Sequence, residues 1–388
     1  MIERECDIDK SIKNIKTYIN NNLNLNFSIT QLSNYTYLTR LYKKNIEVDR
    51  GIGKGNSKES IASSLFESVE HYLLNNSKTK LIKHLSKKEI FNQDLFYIIK
   101  NDLFMMADYK DEKQFHCRIF KELHSKNIIY YPEELINPDY SKNKKILSKY
   151  STNNGTAIGN TKNEALIHSI NEIIERDTIS MFILNTFINN TYDGATTIEL
   201  SSLPKKYKKL INDIKKSGYS SVQLLKLYNE FSIPTYLTIA KGENKYVAIG
   251  SGTSLYNDYA CERSIYECIQ NIDLLINDSV LKAEYKKIYK YYSNDTKLFE
   301  ILTMDFKEKF DTRNFEKINY QRMSIKDYLQ TQYTIIYKQG FKIYYSTLEN
   351  SPNVYCVQVK IPCLEEFHLI LSGSIIAPKN RGLFLIGG

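Results

Sequence analysis

"GTAIGNTKNEALIHSINEIIERD", Gly155 to Asp177, opens on glycine and asparagine and closes on Glu-Ile-Ile-Glu-Arg-Asp. A helix turns by about 100° per residue. His168, Glu172 and Glu175, at i−4, i and i+3, therefore fall within about 60° of one another. Leu166, Ile170 and Ile174 fall about opposite. The spacing predicts a helix that buries one flank and presents a histidine and two carboxylates on the other. Alone, such a pair of acids is an ordinary solvated face, and like charges at this spacing are mildly destabilising.

Two other segments repeat the pattern. "GKGNSKESIASSLFESVEHY" (53–72) and "GSGTSLYNDYACERSIYECIQNI" (250–272) also start on glycines with Asn, Ser or Thr. Each then places an acid, two spacers and Glu or Gln on a helix. The pairs are Glu67/Glu70, Glu172/Glu175 and Glu267/Gln270, recurring after 172 − 67 = 105 and 267 − 172 = 95 residues. The position four before holds Ser63, His168 and Arg263. The apolar side repeats too, as Ile61, Leu65, Val69 and as Cys261, Ile265, Ile269. If the three faces converge, five carboxylates share one pocket. They cannot stay ionised there without a positive partner. An all-oxygen donor set suits Mg²⁺, which keeps waters and takes phosphate as a co-ligand. Glycine loops at helix N-termini would offer N–H groups to anions, and Lys54 would reach phosphate oxygens. The alternatives fit less well. "GIGKGNSK" lacks the Walker A spacing. A ferritin-like di-iron site wants Glu-x-x-His on two helices, which is missing.

Composition narrows the remaining classes. The chain has 388 residues, 42% hydrophobic and 25% charged, with net charge +9. That supports a large core in one big domain or two modest ones. The diffuse positive excess suits anionic ligands or an acidic peptide. No nucleic-acid motif is present, so no nucleic-acid partner is expected. "MIERECDIDK" has no apolar signal region, and "MFILNTFI" (181–188) is too short to span a bilayer. The six scattered cysteines lack zinc spacing and read as reduced thiols, so a cytoplasmic location without a membrane partner is expected.

Strands and helices alternate without a regular βαβ rhythm, which predicts an α+β fold. Residues 1–50 read as a helical lead-in or small subdomain, with helical spacing around Ile12–Ile19 and Leu32–Leu41, and residues 51–388 as the main domain. Helices are expected over Ser57–Leu74 and Tyr259–Leu275, and "YPEELINPDYSKNKK" as a surface loop. "SGYSSVQLLKLYNEFSIPTYLTIAK" reads as two strands around Pro234, "YVAIGSGTSLYND" as a strand into a Gly/Ser loop, and "KIYYSTLENSPNVYCVQVKIP" as two strands around Ser351-Pro352.

The combined motif set, spanning about residues 45–385, resembles the ATP-binding motifs of the YcaO family. It comprises Gly53-Lys54-Gly55 with Ser63, Glu67 and Glu70; Gly159-Asn160-Thr161 with His168, Glu172, Glu175, Arg176 and Asp177; and Arg263, Glu267 and Gln270. "VKIPCLEEF" (359–367) looks like the family's V-P-G-L-E segment, and Arg381 like its terminal arginine. The resemblance implies that Glu67, Glu70, Glu172, Glu175 and Glu267 bind Mg²⁺ and serve catalysis. Lys54, Ser63, Asn160, His168, Arg176, Arg263 and Gln270 would contact ATP or hold the acids, His168 equally as a packed, hydrogen-bonded side chain.

The implied activity is ATP-dependent activation of backbone amides in a ribosomally made precursor peptide, foremost cyclodehydration of Cys, Ser or Thr to azolines in bacteriocin or natural-product maturation. Thioamide or amidine formation is the alternative. A non-catalytic nucleotide-binding scaffold and a nucleotide-free metal protein are readings of another class. Implied partners are the peptide, a separate E1-like leader-binding protein, a flavin dehydrogenase and a second copy in a homodimer. Two motif positions depart from the family: His71 stands for an arginine, and Cys363 for the glycine of P-G-L-E. The ending "NRGLFLIGG" lacks the proline-rich tail common in azoline-forming members, which leaves the product class open.

Overall fold

In the computed structural model, which describes residues 2–77, 80–140, 147–318 and 321–386, each motif helix lies on the edge strand of its own sheet. The first sheet is an antiparallel trio, Asn26–Gln31, Thr36–Lys43 and Ile46–Lys54. Its last strand leads into helix Ser57–Asn76. A second sheet ends in strand Thr156–Gly159, paired with Val354–Lys360 and through it with Tyr344–Ser351. Helix Lys162–Ile183 follows directly. The third sheet ends in strand Ala248–Thr253, paired with Thr235–Lys241. Helix Asn257–Asn277 follows it. Three strand–helix units of one design thus meet within a mixed α+β fold. The strands expected around Pro234 and Ser351-Pro352 are present.

Helix starts follow sequence chemistry. Asn56 accepts from the Glu59 amide and Glu59 reaches back to the Asn56 amide, both at 3.2 Å. Thr161 accepts from the Glu164 amide at 3.3 Å. The apolar flanks are buried as the register requires: Leu65, Val69, Leu166, Ile170, Ile174, Cys261 and Ile265 are at most 1% exposed.

Four of the motif glycines lie within strands and not in the loops before the helices. Gly51 and Gly53 belong to strand Ile46–Lys54, and Gly250 and Gly252 to strand Ala248–Thr253. A Cβ on Gly53 would stand 1.7 Å from the Ser60 carbonyl oxygen, and one on Gly250 would stand 2.1 Å from the Cys268 nitrogen. Their task is to let a strand backbone lie directly on a helix backbone. The acids lie mid-helix, away from the first turns.

Two local readings are corrected. Leu32–Leu41 is not helical: strand Thr36–Lys43 occupies most of it, with Leu38 buried and Leu41 packed against helix Ile8–Asn21 and helix Ser57–Asn76. Cross-strand pairing outweighs the three-residue spacing of its leucines. The segment read as a surface loop holds a helical turn, Glu133–Ile136, which is buried. Arg118, fully buried, binds both Glu133 oxygens at 2.6–2.7 Å. Positions 141–145 of that stretch lie outside the described residues. Among the described residues, no helix is long and apolar enough to cross a membrane.

Candidate active site

The three helices aim their polar flanks into one cavity of ≈ 980 Å³. Glu67, Glu70, Glu172, Glu175 and Glu267 all line it, with Lys54, Ser63, His168, Arg176, Arg263 and Gln270. Of the twelve sequence-derived site residues, Asn160 alone lies outside the lining. Its side chain takes a hydrogen bond from Asn14 at 3.0 Å and gives one to Ser11 at 2.8 Å, so it clamps helix Ile8–Asn21.

Contacts between the units hold the acids in place. Lys54, at the end of the first unit's strand, pairs with Glu267 of the third helix. Gln270 donates to the Ile52 carbonyl at 2.6 Å. Ser251 reaches Glu175 at 2.8 Å and Glu267 at 3.1 Å, joining the second and third units. The Gly155 amide donates to Glu172 at 3.2 Å. Arg176 stands 3.8 Å from Glu172 and 3.9 Å from Glu175.

Charge across the site is uneven. Burial pushes the Glu67 carboxyl up, and pushes Glu70 well up with help from the Glu172 and Glu67 charges. Burial also raises Glu172, against the pull of Arg176. At Glu267 burial acts upward as well, but Lys54, Arg176 and Arg263 outweigh it and hold the group below its ordinary value. The Glu67, Glu70 and Glu172 end therefore needs further positive charge. Burial, with Arg263, Arg4 and Lys54, keeps His168 neutral.

This donor set fits a hard divalent ion. It is all oxygen and short of cations. Among the described residues, no three carboxylate, histidine or cysteine side chains close on a single point. An ion here would complete its shell with water or phosphate oxygens, as Mg²⁺ does.

Sequence reasoning passed over several lining residues. Ser251 follows Gly250 in a strand that the sequence identifies, yet its pairing with two helices is a tertiary fact. His368 lines the cavity beyond Arg176. Its Nε2 lies 3.2 Å from the Asn154 amide nitrogen and its Nδ1 lies 3.3 Å from the Ser180 hydroxyl. The Ser180 hydroxyl donates to the Arg176 carbonyl at 2.6 Å, so Nδ1 carries the proton toward it and Nε2 accepts. Burial and Arg176 lower its pKa to about 3. From His368 the wall turns apolar, through Leu237, Ile249, Leu302 and Leu369.

The late segment builds a separate network. Lys360 and Lys379 bind Glu366 at 3.1 and 2.5 Å. Arg381 binds Asp177 at 2.5 Å and also pairs with Glu230. Glu365 accepts from the amides of Glu366, Lys379, Asn380 and Gly382 at 3.0–3.3 Å. Cys363 has φ 75°, a left-handed conformation natural to glycine. His71 also lines the cavity, with its Nδ1 2.9 Å from the Arg50 carbonyl oxygen.

Comparison with known proteins places the chain. A family model described as YcaO cyclodehydratase, ATP- and Mg²⁺-binding, matches residues 52–365. The chain belongs to that family of ATP-dependent cyclodehydratases. No significant relative was found among curated proteins. The fold is similar to that of YcaO from Methanopyrus kandleri, solved with AMPPCP and Mg²⁺, at TM-score 0.70 and 15% identity, covering 95% of this chain and 94% of that one. It is also similar to a heterocyclase solved with substrate and cofactor (TM-score 0.67, 15% identity, 93% of this chain), of which it spans about half the length, 52%. An E. coli microcin synthetase McbBCD complex matches at TM-score 0.60 and 15% identity, covering 88% of each chain.

Proposed function

We propose that this member of the YcaO family uses Mg-ATP to activate backbone amides of a ribosomally made precursor peptide, converting Cys, Ser or Thr to azolines. The observation that carries the reading is the convergence of five carboxylates from three like helices on one cavity. An amide oxygen is a poor leaving group. In the proposed reaction, a peptide side chain adds to the preceding carbonyl carbon, and the oxygen departs as phosphate. ATP supplies the phosphoryl group and becomes ADP; the peptide loses the elements of one water.

The chain's own residues would divide the work. Glu67, Glu70, Glu172, Glu175 and Glu267 would hold Mg²⁺. Lys54 and Gln270 tie the first unit to the third and keep Glu267 in place. Arg176 and Arg263 would meet developing negative charge without reorganising. His368, held neutral with its Nε2 facing the Asn154 amide and its Nδ1 facing Ser180, would position the cavity wall beside Arg176 and not act as a base. The apolar wall from Leu237 to Leu369 would seat peptide next to the acids and exclude water. A flavin dehydrogenase, a leader-binding protein and a homodimeric assembly belong to the same proposal.

The test is to incubate the chain with Mg-ATP, the precursor peptide encoded beside it and a leader-binding partner, and to weigh the peptide. Loss of water marks azoline formation; exchange of oxygen for sulfur marks thioamide formation instead. A peptide of unchanged mass, with ATP bound but not consumed, would leave the scaffold reading in its place.

A further inference from the structure

Beyond the acids the motif face of the second helix changes character. On helix Lys162–Ile183, Glu172, Glu175 and Ile179 stand 4, 7 and 11 residues after His168. Eleven residues bring a helix face back to within about 20°, so Ile179 continues the same face ~6 Å beyond Glu175. Ile179 lines the cavity, and with it the lining turns apolar, through Ile249, Leu302 and Leu371. Arg263 and Lys54 mark the other end, where both bear on His168. Arg176 stands between, beside Glu172 and Glu175. The cavity therefore runs from a cationic end, past the carboxylates, to an apolar end.

Helix Ser279–Tyr292 walls the apolar end. Leu281, Tyr285, Ile288 and Tyr289 line it, at i, i+4, i+7 and i+8, and all four are half-buried. Lys282, Lys286, Lys287 and Lys290 are exposed and stay out of the lining. The helix is fixed on two sides. The Tyr289 hydroxyl accepts from the Val247 amide at 2.9 Å, just before strand Ala248–Thr253. The Tyr292 hydroxyl donates to the Ile370 carbonyl at 2.8 Å. A Cβ on Gly373 would stand 2.9 Å from Ile288 Cγ1, so the chain beyond His368 lies directly against the helix. A side chain that enters here meets a preformed apolar surface and displaces water from it.

We propose that this apolar end, walled by helix Ser279–Tyr292, selects the peptide residue whose carbonyl is activated, the one before the reacting Cys, Ser or Thr, and takes leucine or phenylalanine there in preference to glycine or aspartate. This deepens the amide-activation reading above and rests on it. Phosphates are drawn to the cationic end and to the ions that the acids would hold. The peptide carbonyl then comes to the carboxylates from the opposite side. The side chain of its own residue reaches about one helical turn past the acids, where the lining is apolar. Glycine would leave that surface wet. Aspartate would lose its water to an apolar wall, next to carboxylates of its own sign.

The test gives the full chain, with Mg-ATP and the leader-binding partner, two precursor peptides that differ only at that residue, and follows both by mass. The leucine peptide should exceed the glycine peptide in kcat/KM by about tenfold or more, equivalent to ~1.4 kcal/mol, and the aspartate peptide should be slowest. Leu281→Ala should shrink the preference by raising KM for the leucine peptide, and leave the calorimetric affinity for a non-hydrolysable ATP analogue unchanged. Leu281→Met, close in volume, should keep the preference. Equal rates for the leucine and glycine peptides with the unaltered chain overturn the proposal, and that comparison needs no variant. So does a Leu281→Ala chain that loses analogue affinity along with the preference, since the apolar end would then hold the nucleobase. If the unaltered chain modifies no peptide, the amide-activation reading falls first and this one with it.

Discussion

Two groups of buried acids stand within a few residues of each other and are treated in opposite ways. In the network of residues 360–381, each acid has its own partner. Glu366 sits between Lys360 and Lys379, and against the upward push of burial these two cations hold it far below the usual carboxylate range. Glu365 is wrapped by four backbone amides. In the cavity, burial pushes Glu67, Glu70 and Glu172 up, and the nearby cations are too few to bring them back. The first group is finished and holds the fold together. The second is incomplete and implies something that comes and goes. The helix Lys162–Ile183 belongs to both: Glu172 and Glu175 face the cavity, while Asp177 faces Arg381, whose pull leaves its buried carboxyl pushed up to about 7.

The contrast can be broken by mutation. The largest effect is expected from Glu366→Ala, which strands two buried ammonium groups. Removing one partner of a buried pair costs about 3–5 kcal/mol, measurable by chemical denaturation. A loss under about 1 kcal/mol would place that network with the weak surface pairs. Glu70→Gln should do the reverse. ATP turnover should fall about a hundredfold or more, on the scale of losing one group that stabilises a transition state. The melting temperature without Mg²⁺ should hold or rise, because an under-neutralised charge is gone. A fully active Glu70→Gln variant would remove Glu70 from the metal set.

Ligand addition sharpens the same difference. Mg²⁺ with a non-hydrolysable ATP analogue at a hundred times its dissociation constant should add about 2.7 kcal/mol. Glu70→Gln should lose most of that gain, and Cys363→Gly none of it. Acid provides a finer probe. The folded-state pKa of Glu366 is depressed, so its contribution is fully present above the ordinary carboxylate value of about 4.3 and is lost as pH falls through the folded value. The stability gap between the unaltered chain and Glu366→Gln should stay level from neutral pH down to about 5 and shrink below. A gap that closed already near neutrality would contradict the depressed value. The smallest effect is expected at Cys363, where a side chain occupies a left-handed backbone. Cys363→Gly should stabilise by roughly 1 kcal/mol.

The site was legible in the sequence wherever it depends on helical period. Ser63, Glu67 and Glu70 share a face because of their spacing, and the same holds for His168, Glu172 and Glu175. The fold carries that spacing unchanged into the cavity. Where a role depends on a distant partner, the sequence was silent. Asn160 stands in a motif, yet its neighbours are Ser11 and Asn14, some 146–149 residues away. Ser251 lies in a Gly/Ser stretch that does not tell which acids it meets, and His368 has no local pattern at all. Thr36–Lys43 reads as helix because Leu38 and Leu41 stand three apart; in the strand that spacing puts them on opposite faces, and both faces are buried, so no alternation marks it.

The glycines of the edge strands have one more consequence. Where Gly53 meets Ser60 and Gly250 meets Cys268, main chain rests on main chain, with no side chain as a spacer. The distance from strand to helix is then set by atoms every amino acid shares. The spacing between strand and helix then depends little on which side chains surround it, provided those few positions remain bare. A site gauged in this way is open to wide divergence, and chains at 15% identity can still superpose along almost their whole length.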